Sequence, residues 1–373
     1  MIDSNEESIV RKLLEPAGVA INGVNEYDIQ VHDNKVYQRV LAGGAVGLGE
    51  SYMDGLWDCH ALDQLIDRIL RANLRDEIKS NWRITLYYLR SMLMNLQKSS
   101  RAYEVGEQHY DTGNDLFEAM LDTRMNYTCG YWKDAQDLDD AQEAKLELVC
   151  RKIELEPGMS VLELGCGFGA FAGYAAEKYG VQITGVTVSK GQVHYAKDRY
   201  AGLPVDIRLE DYRNVTGQYD RVISIGIMEH VGYKNYRTYM DVVDRTLTED
   251  GIAFFHTIGS NDSTTTANAW LTRYIFPNGM LPSIAQLGKA MESLFVMEDW
   301  HNFGPDYDRT LMAWNDNFEK AWPELKDKYG ERFYRMWRYY LLSSAGGFRA
   351  RDAQLWQTVM TKKGREQPCC RHS

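Results

Sequence analysis

Several residues in the middle of the chain have the types and spacing of a ligand cradle. The segment VLELGCGFG (161–169) runs an apolar stretch straight into a glycine-rich turn, with Glu163 two residues ahead of Gly165. Gly165, Gly167 and Gly169 let a backbone turn tightly and approach a ligand closely, which a side chain at those positions would prevent. Such a turn alone also serves dinucleotide loops and ordinary strand-to-helix connections. Further on, GVTVSKGQ (185–192) places Thr187, Ser189 and Gln192 where the second strand of such a fold ends, in the position often held by an acid. A hydroxyl and an amide there supply hydrogen bonds to a polar ligand. Asp211 and Tyr212, in LEDYRN, are placed to meet the edge and face of a flat heterocycle, with core packing as the competing role for Tyr212.

The reacting groups lie in four other segments: YTCGYW (127–132), GIMEHVG (226–232), HTIG (256–259) and EDWHNFGPDYDRTLMAW (298–314). Taken singly each is ordinary, since a lone Cys129 is more often a buried hydrophobe and Glu229 reads equally as an acid in the first turn of a helix. Together they carry a resemblance. Glu163 with GCGFG resembles motif I of class I S-adenosylmethionine-dependent methyltransferases. The four segments together resemble the cyclopropane-fatty-acid-phospholipid synthase family. The likeness extends over nearly the whole chain, from GLGESYMDG (47–55) through EQHYDTGNDLF (107–117) to YIFPNG (274–279) and FRARD (348–352). It includes an N-terminal domain that the related mycolic acid enzymes lack.

That resemblance implies S-adenosylmethionine as co-substrate and bicarbonate as the base. It assigns Cys129, Glu229, His256, Ile258 and Tyr307 to the bicarbonate site, with Cys129 and Ile258 acting through the main chain and Glu229 accepting the bicarbonate proton. Tyr127 is implied to touch the cofactor. The substrate implied is the cis double bond of an acyl chain in a membrane phospholipid. Attack of that alkene on the sulfonium methyl leaves a carbocation, which needs a dry, electron-rich enclosure; aromatic faces supply about 0.5–2 kcal/mol per cation–π contact. Tyr131, Trp132, Phe303, Tyr307 and Trp314 fall in the relevant segments. A base must then take a proton from the added methyl so that the ring closes. The alternatives are methylation of the same alkene without ring closure, a small-molecule N- or C-methyltransferase, and a lipid- or cofactor-binding protein without activity.

The elements that position these groups alternate. VLELG (161–165), QITGVTV (182–188), DRVISIGI (220–227) and GIAFFHTI (251–258) are apolar runs separated by helix-length amphipathic stretches. This rhythm predicts an α/β fold, a doubly wound, mostly parallel, Rossmann-like sheet. His256 would then lie at a strand's carboxyl end, where ligands bind in open sheets. Residues 1–100 lack the alternation and read as a smaller helical domain, interrupted by the glycine cluster AGGAVGLGES (42–51); residues 101–373 read as the catalytic domain.

Composition bounds the rest. The formal net charge of −11, from 42 Lys and Arg against 53 Asp and Glu, argues against nucleic-acid binding. No signal peptide and no apolar run long enough to span a membrane is present, which predicts a cytoplasmic protein. Six cysteines without ligand spacing predict no disulfide and no metal. Residues 68–101 hold eight Lys or Arg against two acids among apolar and aromatic side chains, and residues 331–351 hold five arginines among aromatics. Both read first as helices packed on their own domain and second as surfaces for anionic lipid. The family likeness implies peripheral docking on the inner face of the membrane and a homodimer, both through the N-terminal domain. The Thr-rich stretch NDSTTTANAW (261–270) follows no pattern we can assign, and the tail from Lys362, with Cys369, Cys370 and His372, is expected to be disordered.

Overall fold

The run at 161–164 is buried along its length, as a strand covered by helices on both faces must be. In the computed structural model, which describes residues 5–73, 113–266 and 268–372, it forms strand β1 (Ser160–Leu164). The strands β2 (Gln182–Thr187), β3 (Val205–Leu209), β4 (Tyr219–Ile225), β5 (Leu247–Ser260), β6 (Phe295–Asn302) and β7 (Ala353–Lys362) join it. The sheet order is β3-β2-β1-β4-β5-β7-β6. Pairings among β1 to β5 are parallel, while β7 inserts antiparallel between β5 and β6. This is the mostly parallel, doubly wound sheet anticipated from the rhythm of the sequence. The order reverses between β1 and β4, and such a switch point opens a crevice at the strand tips.

The chain divides into two compact units. One takes its described residues from Leu121–Thr266, Asn278–Thr310 and Ala353–Ser373, and contains the sheet. The other takes them from Met1–Met120, Ala267–Pro277 and Leu311–Asp352. In this second unit the helices Lys35–Met53, Leu62–Arg71 and Glu331–Arg349 pack together beside a short antiparallel pair, Gln30–Val31 with Trp57–Asp58.

The glycine cluster at 42–51 does interrupt the helical pattern: within Lys35–Met53 two helical pieces meet at Gly44, whose φ of 53° and ψ of −128° are not helical. Its glycines serve close packing, since a Cβ on Gly49 would sit 2.4 Å from the Trp270 indole nitrogen. One expectation needs correction, because the tail is ordered. Glu154 accepts the Cys369 N–H at 2.7 Å and pairs with Arg365 at 3.1 Å, and Cys370 is buried in the core of the sheet unit. The segment 331–351 is a core helix, with Met336, Trp337, Tyr339 and Tyr340 buried and Arg335 and Arg338 bonded to Asp58 and Tyr52. Most of the basic stretch 68–101 lies outside the described residues.

Candidate active site

The glycine-rich turn leaves β1 with Gly165, Gly167 and Gly169 at φ of +80°, +53° and +79°. A side chain is strained at such angles, and a Cβ on Gly165 would meet Ile227 Cδ1 at 2.2 Å. Around Gly167 nothing lies within 4 Å of the missing Cβ, so the backbone there is open to a ligand. The N–H groups of Gly165 and Cys166 both donate to the Val186 carbonyl, at 2.9 and 3.0 Å, fastening the turn to β2. Glu163 is 3% exposed, and among the described residues its Oε2 has no hydrogen-bond partner. Burial pushes its pKa up to about 8 against the downward pull of Lys145.

At the tips of β2 and β3 the polar residues are bonded to each other. The Thr187 hydroxyl lies 2.8 Å from Gln192 Oε1, and Ser189 caps the helix Lys190–Arg199 by accepting the Gln192 N–H. Asp211 caps the short turn Tyr212–Asn214 and pairs with Arg213 at 2.5 Å, which holds its carboxyl below the usual range. The Tyr212 ring packs 4.8 Å from Tyr239, so its inward side serves the core.

The reacting segments converge beyond β4 and β5. Gly226 (φ +73°) ends β4 and donates its N–H to the His256 carbonyl at 2.8 Å. A Cβ there would meet Thr128 Cγ2 at 2.7 Å, so glycine lets the 127–132 loop approach. Glu229, in the helical turn Met228–Val231, accepts the Ile258 N–H on Oε1 at 2.6 Å. Its Oε2 is buried with no partner among the described residues. Burial pushes the carboxyl up to about 7, while the Ile258 N–H and the Thr257 hydroxyl pull it down. The Ile258 N–H is thus committed to Glu229.

His256 sits on β5, 1% exposed, with Nδ1 3.4 Å from the Gln357 side-chain nitrogen of β7. Burial, reinforced by the charges of Lys145 and Lys152, drives its pKa well below the ordinary histidine value. The imidazole is neutral. Donation by the Gln357 amide to Nδ1 is the arrangement that puts the ring proton on Nε2, an atom buried without a partner among the described residues. Phe303 packs edge-on to His256 at 6.0 Å and to Tyr131 at 5.3 Å, forming an aromatic wall beside it.

Cys129 is fully buried and its thiol is pushed well above the usual range by desolvation, so it is no thiolate nucleophile. Its loop is bolted to the helix Pro305–Tyr329. The Gly130 N–H and the Trp132 indole donate to the Thr310 hydroxyl at 3.1 and 2.9 Å, and the Trp132 N–H donates to Asp306 at 2.7 Å. Tyr307, next to Asp306, is buried in the first turn of that helix, while Trp314 belongs to the other unit. Tyr127 is half-buried between Asn126 and Thr128. The structure therefore joins Glu229 to Ile258 directly, and joins the Cys129 loop to the Tyr307 turn through Thr310 and Asp306.

Sequence reasoning missed Thr310, Gln357 and two lysines of the helix Leu138–Lys152. Lys145 and Lys152 are both 0% exposed. Lys152 pairs with Asp299 at 2.9 Å and touches His301 Nδ1 at 3.2 Å. The available signal was periodicity, for Gln142, Lys145, Val149 and Lys152 share one buried helical face. Among the described residues no cluster of metal-ligating side chains occurs and no helix is long and apolar enough to cross a membrane.

The family model described as mycolic acid cyclopropane synthetase matches residues 97–358. The chain is 51% identical to the cyclopropane-fatty-acyl-phospholipid synthase of Escherichia coli K12 over 360 residues, covering 96% of this chain and 94% of that protein. It is 31% identical to a tuberculostearic acid methyltransferase of Mycobacterium tuberculosis, over 88% of this chain and 81% of that one. Among solved structures it is similar to the mycolic acid cyclopropane synthase CmaA1 complexed with SAH and CTAB, with TM-score 0.64 and 28% identity, over 70% of this chain and 98% of that chain.

Proposed function

The chain belongs to the mycolic acid cyclopropane synthetase family and is an S-adenosylmethionine-dependent methyltransferase of the cyclopropane-fatty-acyl-phospholipid synthase kind, and from that premise we propose how its site closes the ring. The π electrons of a cis alkene in a phospholipid acyl chain attack the sulfonium methyl carbon. The carbon–sulfur bond breaks toward sulfur, leaving S-adenosylhomocysteine and a cation on the chain. A proton then leaves the added methyl, and the C–H electrons close the cyclopropane.

The residues present fit a small oxyanion. His256 offers a buried Nε2–H donor and Glu229 a buried Oε2 acceptor, each without a partner among the described residues. Bicarbonate, when bound, would supply the base that takes the proton from the added methyl. His256 holds the anion as a neutral donor, so no cation competes with the developing carbocation. Glu229, fixed by the Ile258 N–H, receives the anion's own proton. Tyr307 closes the site as a further donor, Cys129 shapes it through its backbone, and Tyr131 and Phe303 face the cation and exclude water. The open backbone at Gly167, with Glu163 beneath the turn, takes the methionine part of the co-substrate, and Tyr127, Thr187, Ser189, Gln192, Asp211 and Tyr212 surround the rest.

The observation that carries this reading is the pair of unpartnered buried atoms on Glu229 and His256. Turnover on unsaturated phospholipid vesicles should fall when carbonate is stripped from rigorously degassed buffer and return when bicarbonate is added. Unchanged turnover would remove the anion from the mechanism. Residues 1–100 act in docking on the inner face of the membrane and in homodimer formation, and the enzyme is cytoplasmic.

A further inference from the structure

We propose that Lys145 is a positioning residue that couples co-substrate binding to the order of the reacting-centre loop, an inference that rests on the methyl-transfer reading above. Lys145 is wholly buried and donates to Asn126 Oδ1 at 2.8 Å and to Thr128 Oγ1 at 3.0 Å. These residues flank Tyr127 and precede Cys129, so one ammonium holds the loop from both sides of its cofactor-facing tyrosine. Gln142, one helical turn earlier, donates to the Thr128 carbonyl at 2.7 Å and fixes the same point. Asn126 is itself held by Asp122, through its backbone at 2.7 Å and its side chain at 2.8 Å.

Among the described residues no carboxylate lies within ion-pair distance of Lys145. Its hydrogen bonds to Asn126 and Thr128 are thus a fixed anchor on either side of Tyr127. A co-substrate that rests on Tyr127 meets a loop already held by Lys145, and by reciprocity an anchored loop favours binding.

The test uses the full-length enzyme with S-adenosylmethionine and dioleoylphosphatidylglycerol vesicles. Lys145→Met removes the charge, Thr128→Val removes only the hydroxyl, and Thr128→Ser keeps it. Hydrogen exchange across 126–132 should slow on addition of S-adenosylmethionine in the parent and in Thr128→Ser, but not in Thr128→Val or Lys145→Met. Single-turnover methyl transfer at saturating co-substrate should fall about tenfold or more in the latter two. Should Lys145→Met fail to fold, Thr128→Val decides alone, because it retains the lysine. Ligand-induced protection that persists in Thr128→Val, or is lost equally in Thr128→Ser, overturns the proposal. A parent enzyme that protects the loop yet makes no cyclopropane lipid contradicts the functional reading while leaving this coupling supported.

Discussion

Glu229 and Ile258 are joined by a 2.6 Å hydrogen bond from the Ile258 N–H to Oε1, which pins the carboxylate to β5 and leaves Oε2 aimed at no described partner. One oxygen is spent on position, and the proposed mechanism uses the other as the proton acceptor. The distinction matters because both oxygens belong to an acid pushed up to about 7 by burial.

Replacing Glu229 by Gln preserves shape and the bond to Ile258, but it turns the second oxygen into an N–H donor. The rate of methyl transfer should fall about 100-fold or more, as when a preorganised polar group is removed from an active site. Calorimetry should find S-adenosylmethionine affinity retained. Loss of that affinity would place Glu229 in the cofactor site instead.

The same carboxyl sets a pH dependence. The proposed mechanism uses the ionised form as proton acceptor, so kcat/KM should rise with pH through a midpoint near 7. Stability runs the other way. Its folded pKa lies above the ordinary 4.5, so its contribution is fully present below 4.5 and is lost as pH rises through about 7. Denaturation midpoints of the parent and of Glu229→Gln across that window should diverge with increasing pH, the parent falling.

Gly165→Ala puts a Cβ 2.2 Å from Ile227 Cδ1 at φ +80°. Folding should weaken by about 1–3 kcal/mol and co-substrate affinity should drop, since the turn cannot keep its shape. Chemical denaturation and calorimetry on one sample check both.

Much of the sheet was legible because an apolar run between helical stretches has few other solutions, and Gly165 announced the turn by type alone. Glu229 and His256 were legible as residues, but the partners that hold them were not. The bond to Ile258 joins positions 29 residues apart, and the contact of His256 with Gln357 spans 101. Periodicity does not encode such pairings. Thr187, Ser189 and Gln192 were legible by type as hydrogen-bonding residues at a strand tip, but the cap that Ser189 provides to the helix Lys190–Arg199 was not, since the same residue types fill both roles. The tail misled because its order depends on Glu154, 215 residues from Cys369. Lys145 and Lys152 escaped notice because lysine on a helix is ordinarily solvated.

The buried Lys152–Asp299 pair gives a stability prediction independent of catalysis. Asp299→Asn leaves Lys152 without its counter-charge in a fully buried position. Such an uncompensated charge should destabilise the fold by about 3–5 kcal/mol, read as a lower urea midpoint with unchanged slope.

The most direct test of ring closure is the proton NMR spectrum of lipid recovered after incubating the enzyme with S-adenosylmethionine, bicarbonate and unsaturated phospholipid vesicles. The account predicts upfield cyclopropane methylene protons and loss of the olefinic signal. A methyl-branched chain that keeps a double bond, or a methyl group carried on the headgroup, would contradict it.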